Sequence, residues 1–422
     1  MTRAGALLFL GDYGGTLAAA RCLGRRGIDV ALADSARFSR TAASRFVSHR
    51  LASPAPDDGP ALVRWLLDAP DPALDGRVLF PASDDLVFLF AQHREALAHR
   101  YRLLTPSLDG AATILDKQRL YDVCGRIGVR HPQTWFPEDE THLRRLLPDI
   151  DCDVVVKPKI QVQFRSGQKG AEVRRGGDLV SAFRAFIAAN PYGAEVRAHN
   201  PDVAMPMVQA FHEEAISGIV SVAGFAAGSG SIPAVRAARK ILQRPRRLGV
   251  GVCFEATDID SGLPAQLGQL CEALGYTGIF EMEFIEHGGE LLLIDFNPRG
   301  YGQMAFEDAR GLPLPYLHYL GAVDDHAQLA AEYARARQRP PRAEGAFCHG
   351  TLLALVRGAQ WAARAFGRPA EPWAVWRARQ AACLTDAVAA DDDPGPHIAD
   401  AWCHTRDFLR HPRSFARSLQ RG

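Results

Sequence analysis

The chain has 422 residues, 47% of them hydrophobic and 23% charged, a length that exceeds what one hydrophobic core usually supports, so two or three packed domains are expected. A formal net charge of +1 leaves no field to steer a polyanion, which argues against nucleic acid as a principal partner. The eight cysteines lie scattered, with no close pair to start a zinc site; the apolar run Ala6 to Leu10 is too short for a signal-peptide core, and no run approaches a bilayer span, so a cytoplasmic protein with reduced thiols and no membrane partner is expected.

The opening ALLFL reads as a buried strand, GDYGGT as a turn and LAAARCLGRRG as a helix ended by Gly27. IDVALAD then completes a βαβ unit. The alternation continues through helix DDGPALVRWLLDA, strand RVLFPAS and helix DLVFLFAQHREALAHR, which predicts an α/β domain with a parallel sheet over residues 1–106. From 107 to about 325 the pattern changes to helix DKQRLYDVCGRIG, strand CDVVVKP, helix GDLVSAFRAFIAAN, strand AMPMVQAF and the hairpin FEMEFIEHGGELLLIDF around a Gly-Gly turn, an α+β arrangement. Residues 326–422, rich in Ala, Arg and Trp at helical spacing and broken by RQRPPRAEG, RPAEP and AADDDPGP, read as a helical C-terminal extension.

Within the hairpin, strand alternation puts Glu281 and Glu283 on one face, and Asp295 and Asn297 on one face of the partner strand. Carboxylates and an amide oxygen grouped in this way suit a hard cation that also binds phosphate, which points to Mg2+, and Arg299 adds a fork of donors for a phosphate or carboxylate. Single acids on a hairpin are ordinarily solvated. Asp295, however, follows Leu291, Leu292, Leu293 and Ile294, where an unpaired carboxylate would be costly. Lys157 ends the apolar strand DVVVKP, a position from which it can reach inward to a phosphate. Lys117 opens a helix, a place where a lysine is more often on the surface.

The ordered set Lys117, Lys157-Pro158, Val208-Gln209-Ala210-Phe211, Glu283-Phe284 and Asp295-Phe296-Asn297-Pro298-Arg299 resembles the ATP-grasp superfamily of carboxylate-amine ligases. The resemblance implies a Rossmann-like (pre-ATP-grasp) N-terminal domain, a central two-lobed ATP-grasp fold, and ATP with Mg2+ as cofactors. It also implies roles. Lys117 and Lys157 would bind the phosphates, and the backbone of Gln209, Ala210 and Phe211 would pair with adenine. Glu213 or, preferred, Glu214 would hold the ribose; Glu283, Asp295 and Asn297 would ligate magnesium, and Arg299 would stabilise the groups formed in reaction. In the basic stretch Arg236, Arg239, Lys240, Arg244, Arg246 and Arg247, a run that is ordinarily solvated, Arg239 or Lys240 would hold the carboxylate being activated. The sequence departs from the superfamily in two places. The lid loop is the long, basic KIQVQFRSGQKGAEVR, with Ser166, Gly167 and Gly170 as its flexible points, and Asp295 stands where many relatives carry Glu.

The reaction so implied is ligation of a small-molecule carboxylate to an amine through an acyl phosphate, with release of ADP and phosphate. An ATP-dependent enzyme that phosphorylates another oxygen, such as that of an enolised ketone, would carry the same nucleotide machinery, and a non-catalytic ATP-binding module would carry part of it. An NAD-dependent oxidoreductase is the reading favoured by GDYGGT and by Asp34 about 20 residues on, although the spacing of Gly11, Gly14 and Gly15 is not that of the dinucleotide fingerprint. The helical extension would cap the acceptor pocket or form a homodimer interface.

Overall fold

In the computed structural model, which describes residues 3–164, 170–189, 192–216, 218–228, 231–232, 234–244, 249–338, 345–355, 358 and 384–412, three sheets set the architecture. The first contains β1 (Ala6–Phe9), β2 (Val30–Asp34), β3 (His49–Ala52) and β4 (Val78–Leu79) in the order β3-β2-β1-β4, every pair parallel. Its central strands are apolar on both faces because both are covered. Leu7, Phe9, Ala31 and Leu79 meet Leu62, Leu66, Leu86 and Phe90 on one side, while Leu8, Leu32 and Val78 share a core with the helices Gly14–Gly24 and Leu314–Ala322 on the other.

The second sheet is antiparallel, with β5 (Thr134–Trp135), β6 (Val154–Lys157), β7 (Ala171–Val173) and β8 (Met207–Ala210) in the order β5-β8-β6-β7. Val154, Val156 and Val208 bury against Leu143, Leu179, Phe183 and Phe186 of the helices Glu140–Leu146 and Leu179–Ala189. Alternation then turns Val155, Lys157 and Gln209 to the opposite face, where they line a cleft.

The third sheet supplies the opposing wall of that cleft. It contains β9 (Ile219–Ala226), β10 (Val235–Arg244), β11 (Val250–Ala256), β12 (Gly278–His287), β13 (Glu290–Asn297), β14 (Ala346–Cys348) and β15 (Leu384–Asp386), ordered β13-β12-β9-β10-β11-β14-β15. Val222, Met282, Phe284, Leu293 and Phe296 pack on the helices Lys117–Ile127 and Leu263–Ala273. Phe225 and Ile279, on the other face, join the core shared with the first sheet.

The C-terminal region is helical in His326–Gln338 and Gly395–Arg410, as expected, but it also adds β14 and β15 to the edge of β11. Each of these strands is three residues long, too short to present a readable period; β14 forms on the open edge of β11 and β15 on the edge of β14. The acidic loop AADDDPGP is not merely a solvated break. Asp393, 1% exposed, pairs with Arg21 at 2.9 Å, and Asp392 pairs with Arg25 at 2.6 Å, tying the region to the helix Gly14–Gly24. Among the described residues no helix is long and apolar enough to cross a membrane.

Candidate active site

The hairpin β12–β13 arranges the acids by register. Glu281 lies opposite Asn297 and Glu283 opposite Asp295, so each pair shares a face. Beyond Glu283 the register shifts: Phe284 pairs with Leu293, and Ile294 is the extra residue of a bulge. Leu293 and Phe296, an odd number of positions apart, can therefore both enter the core while Asp295 lines the cleft and Asn297 meets Glu281 and Arg299. Without the bulge one of the two sets would be on the wrong side.

Each acid meets a cation from another element. Lys117 is 7% exposed, not a surface lysine, because the N-cap Asp116 accepts from the N–H groups of Gln118 and Arg119 and starts the helix with its first side chain turned into the cleft. Its Nζ lies 2.5 Å from Asp295 Oδ1, and Lys240 Nζ lies 2.6 Å from Glu283 Oε1. Burial opposes charge on both Lys117 and Asp295, but their mutual attraction prevails, holding the lysine above and the aspartate below its ordinary range. Lys157, between them, has no hydrogen bond or ion pair among the described residues; burial and the neighbouring Lys117 push its ammonium down to about 7.

Asn297 donates from Nδ2 to Glu281 Oε2 at 2.7 Å, which directs Oδ1 toward Arg299 Nη2 at 2.7 Å. Glu281, 2% exposed and pushed up to about 7 by burial and by Glu283, also accepts from Ser221 and from Gln303 Nε2. Arg299 in turn donates from Nε to Asp84 Oδ1 at 2.5 Å and from Nη1 to the Tyr13 hydroxyl at 3.3 Å. Asp84 and Tyr13 belong to the first-sheet region, so the guanidinium is oriented from across the interface. Sequence reasoning passed over Asp84, Tyr13, Ser221 and Gln303, and treated Glu281 only as a companion of Glu283. For Asp84 a signal existed: it opens a helix directly after the strand RVLFPAS, capped by Ser83.

At the far end of the cleft, Gln209 is buried and its Nε2 donates to the Tyr121 and Thr134 hydroxyls at 3.1 and 2.9 Å. The N–H groups of Ala210 and Phe211 are taken by the carbonyls of Gln133 and Asp153; the next N–H, that of His212, has no hydrogen bond among the described residues. The N–H without a partner among the described residues is thus one position beyond the segment Gln209 to Phe211. Glu214 stands at the rim, 2.9 Å from His287 Nδ1, and Glu213 turns toward Arg174.

One expectation needs correction, and one alternative loses its support. Arg239 does not face the acids: alternation along β10 sends it to the reverse side of the sheet, where it pairs with Glu286 at 2.7 Å, and Lys240 alone of the two enters the cleft. The turn GDYGGT is not shaped for a dinucleotide. A Cβ on Gly14 would come within 2.9 Å of the Gly302 carbonyl oxygen and one on Gly15 within 2.6 Å of that of Tyr301, while Asp34 accepts from the N–H groups of Gly11 and Ala36. Its glycines admit protein backbone. Ser166 and Gly167 of the expected lid, with Arg246 and Arg247, lie outside the described residues.

Solved structures align with this arrangement over three-quarters of the chain. The biotin carboxylase domain of a Hydrogenobacter thermophilus 2-oxoglutarate carboxylase, solved with MgADP, ADP and bicarbonate, matches with a TM-score of 0.58 at 15% identity over 76% of this chain and 70% of that one. A phosphoribosylglycinamide synthetase from Anaerococcus prevotii gives 0.54 at 13% identity, and an L-amino acid ligase from Bacillus licheniformis 0.52 at 14%, each over 76% of this chain and 75% of the other. The chain has the ATP-grasp fold. The cleft with Lys117, Lys157, Glu283 and Asp295 lies between its second and third sheets. No family model and no curated protein matches the sequence.

Proposed function

We propose that this protein is a Mg-ATP-dependent carboxylate-amine ligase working through an acyl phosphate. The observation that carries the reading is the cross-strand pair Glu283 and Asp295 on the cleft face, held by Lys240 and Lys117 with the unpartnered Lys157 between. The metal donors Glu283, Asp295 and Asn297 are all oxygen donors on one face, a set suited to Mg2+, and each now contacts a cationic nitrogen. Magnesium, when bound with ATP, supplies charge neutralisation at the phosphates.

This chain's residues then have separable tasks. Lys117 and Lys157 hold phosphate oxygens, and Lys157 gains the counter-charge that it lacks in the free protein. His212 N–H and the backbone of Ala210 hold the base, and Glu214 the ribose. Lys240 holds the acceptor carboxylate. Glu281 is a positioning residue that holds the Asn297 amide so that its oxygen, now on Arg299, is turned to where the metal would bind, and Asp84 with Tyr13 sets the Arg299 guanidinium against the charge that develops on phosphoryl transfer. The carboxylate oxygen attacks the γ-phosphorus, ADP leaves, and attack by the amine on the acyl carbon expels phosphate. The neighbouring folds agree, since those structures carry MgADP or are named as synthetase and ligase.

The test is an ADP-release screen of carboxylates and amines in pairs, with hydroxylamine as a trap. ADP release that requires a carboxylate and yields a hydroxamate is the expected outcome. Release that needs no carboxylate and gives no hydroxamate assigns the phosphoryl group to another oxygen.

A further inference from the structure

Beside the nucleotide end of the cleft, three ligating side chains converge that neither phosphate transfer nor magnesium binding uses. His212 follows β8 and Glu214 lies in the short turn Glu213–Ile216, both in the connection from β8 to β9, and His287 is the last residue of β12, against which that turn packs. One ligand atom from each lies within 4.8 Å of the other two. Glu214 Oε1 and His287 Nδ1 are 2.9 Å apart, and the two imidazoles sit with ring centroids at 4.4 Å and planes at 60°. Donors around a tetrahedral zinc ion are about 3.4 Å apart. Closing from the observed spacing requires only side-chain rotation at the rim, since His287 and Glu214 are about half exposed.

We propose that His212, Glu214 and His287 form a binding site for a transition-metal ion of the zinc class, which sits at the cleft rim and excludes the nucleotide. Two imidazoles and one carboxylate are a borderline-soft donor set, suited to zinc rather than to the magnesium of the oxygen-only set at Glu283 and Asp295. The exclusion follows because the site takes Glu214 from the ribose and holds His212 beside the one N–H available to the base; this part rests on the nucleotide placement proposed above. The protein would thus be inhibited by zinc in competition with ATP.

The probe is zinc itself, titrated into the metal-stripped full chain against a chromophoric chelator, with cobalt(II) as the spectroscopic substitute. A Cys152→Ser background removes the half-buried thiol, the remaining free cysteines among the described residues being buried. One zinc per chain is expected, bound at least about tenfold more weakly after His287→Ala and after Glu214→Gln. Cobalt should give visible bands of nitrogen and oxygen ligation that both substitutions abolish and that MgADP displaces. Undiminished zinc affinity and an unaltered cobalt spectrum in His287→Ala would overturn the site. Zinc binding that depends on His287 but persists beside saturating MgADP would overturn the exclusion and place the ribose away from Glu214, so failure of the metal site and failure of the nucleotide placement register in different arms.

Discussion

The Gly-rich turn Gly11 to Gly15 and the hairpin β12–β13 both carry sequence signals for a phosphate-handling site, and the structure treats them in opposite ways. At the turn, the space beside Gly14 and Gly15 is filled by fixed backbone, the carbonyls of Gly302 and Tyr301, and the Asp34 carboxylate is held on the Gly11 N–H. At the hairpin, the acids are occupied by flexible lysine side chains. Lysines can swing to a phosphate; a packed carbonyl cannot. What separates a binding site from a packing site is whether the groups filling it can be exchanged for a ligand.

Substitutions sharpen that contrast. Asp295→Asn keeps the shape of the hairpin but removes a metal oxyanion, and kcat for ADP release should fall by about 10²–10³-fold or more while the secondary structure stays intact. Lys157→Met should weaken nucleotide binding by about tenfold to a hundredfold, as for loss of charge-assisted hydrogen bonds, and yet raise the thermal midpoint of the free protein by removing a buried amine without a partner. Gly15→Ala should behave in the opposite way. It should cost about 1–3 kcal/mol of stability through the clash with Tyr301, read by denaturant titration, and leave nicotinamide nucleotides without measurable binding before and after.

The sign of the pH dependence distinguishes the same residues. Lys157 titrates near 7 in the folded chain against 10.5 for the ordinary side chain, so between those values the unfolded state binds more protons and the free protein gains stability as pH rises. Nucleotide affinity should run the other way, falling by up to about tenfold per pH unit above 7, because binding then requires proton uptake. Lys157→Arg, permanently charged, should flatten the affinity profile in calorimetric titrations from pH 7 to 9. The smallest effect belongs to Arg239→Ala. Its exposed pair with Glu286 on the reverse face is worth about 0–1 kcal/mol, and turnover should remain within about threefold of wild type, whereas Lys240→Ala should impair it strongly.

Much of this was legible from residues alone because period and placement agreed. The run Val154 to Val156 followed by Lys157, and the Leu-Leu-Leu-Ile run before Asp295, gave apolar strands ending in charges; alternation fixed the faces of the first, whereas the bulge at Ile294 that sets Leu293 and Asp295 on opposite faces left no mark in the sequence. Arg239 and Lys240 could not be separated in the same way, since choosing between neighbours requires knowing which face of β10 is covered, and that is settled by β9 and β12 from elsewhere in the chain. Nor could Asp84 and Tyr13 be assigned to Arg299, as their contact joins elements more than 200 positions apart. The strands β14 and β15 were hidden for a related reason: their formation depends on an open sheet edge rather than on their own three-residue patterns. Lys117 lay between these cases, for its helix start was readable but its burial was not.

The most direct measurement is calorimetric binding of a non-hydrolysable ATP analogue to the wild-type chain and to Glu283→Gln/Asp295→Asn, each with and without magnesium. If the paired strand-end acids hold the metal against the triphosphate, magnesium should strengthen binding to the wild type by at least about tenfold and have no effect on the double variant. An equal magnesium effect in both proteins would contradict that assignment.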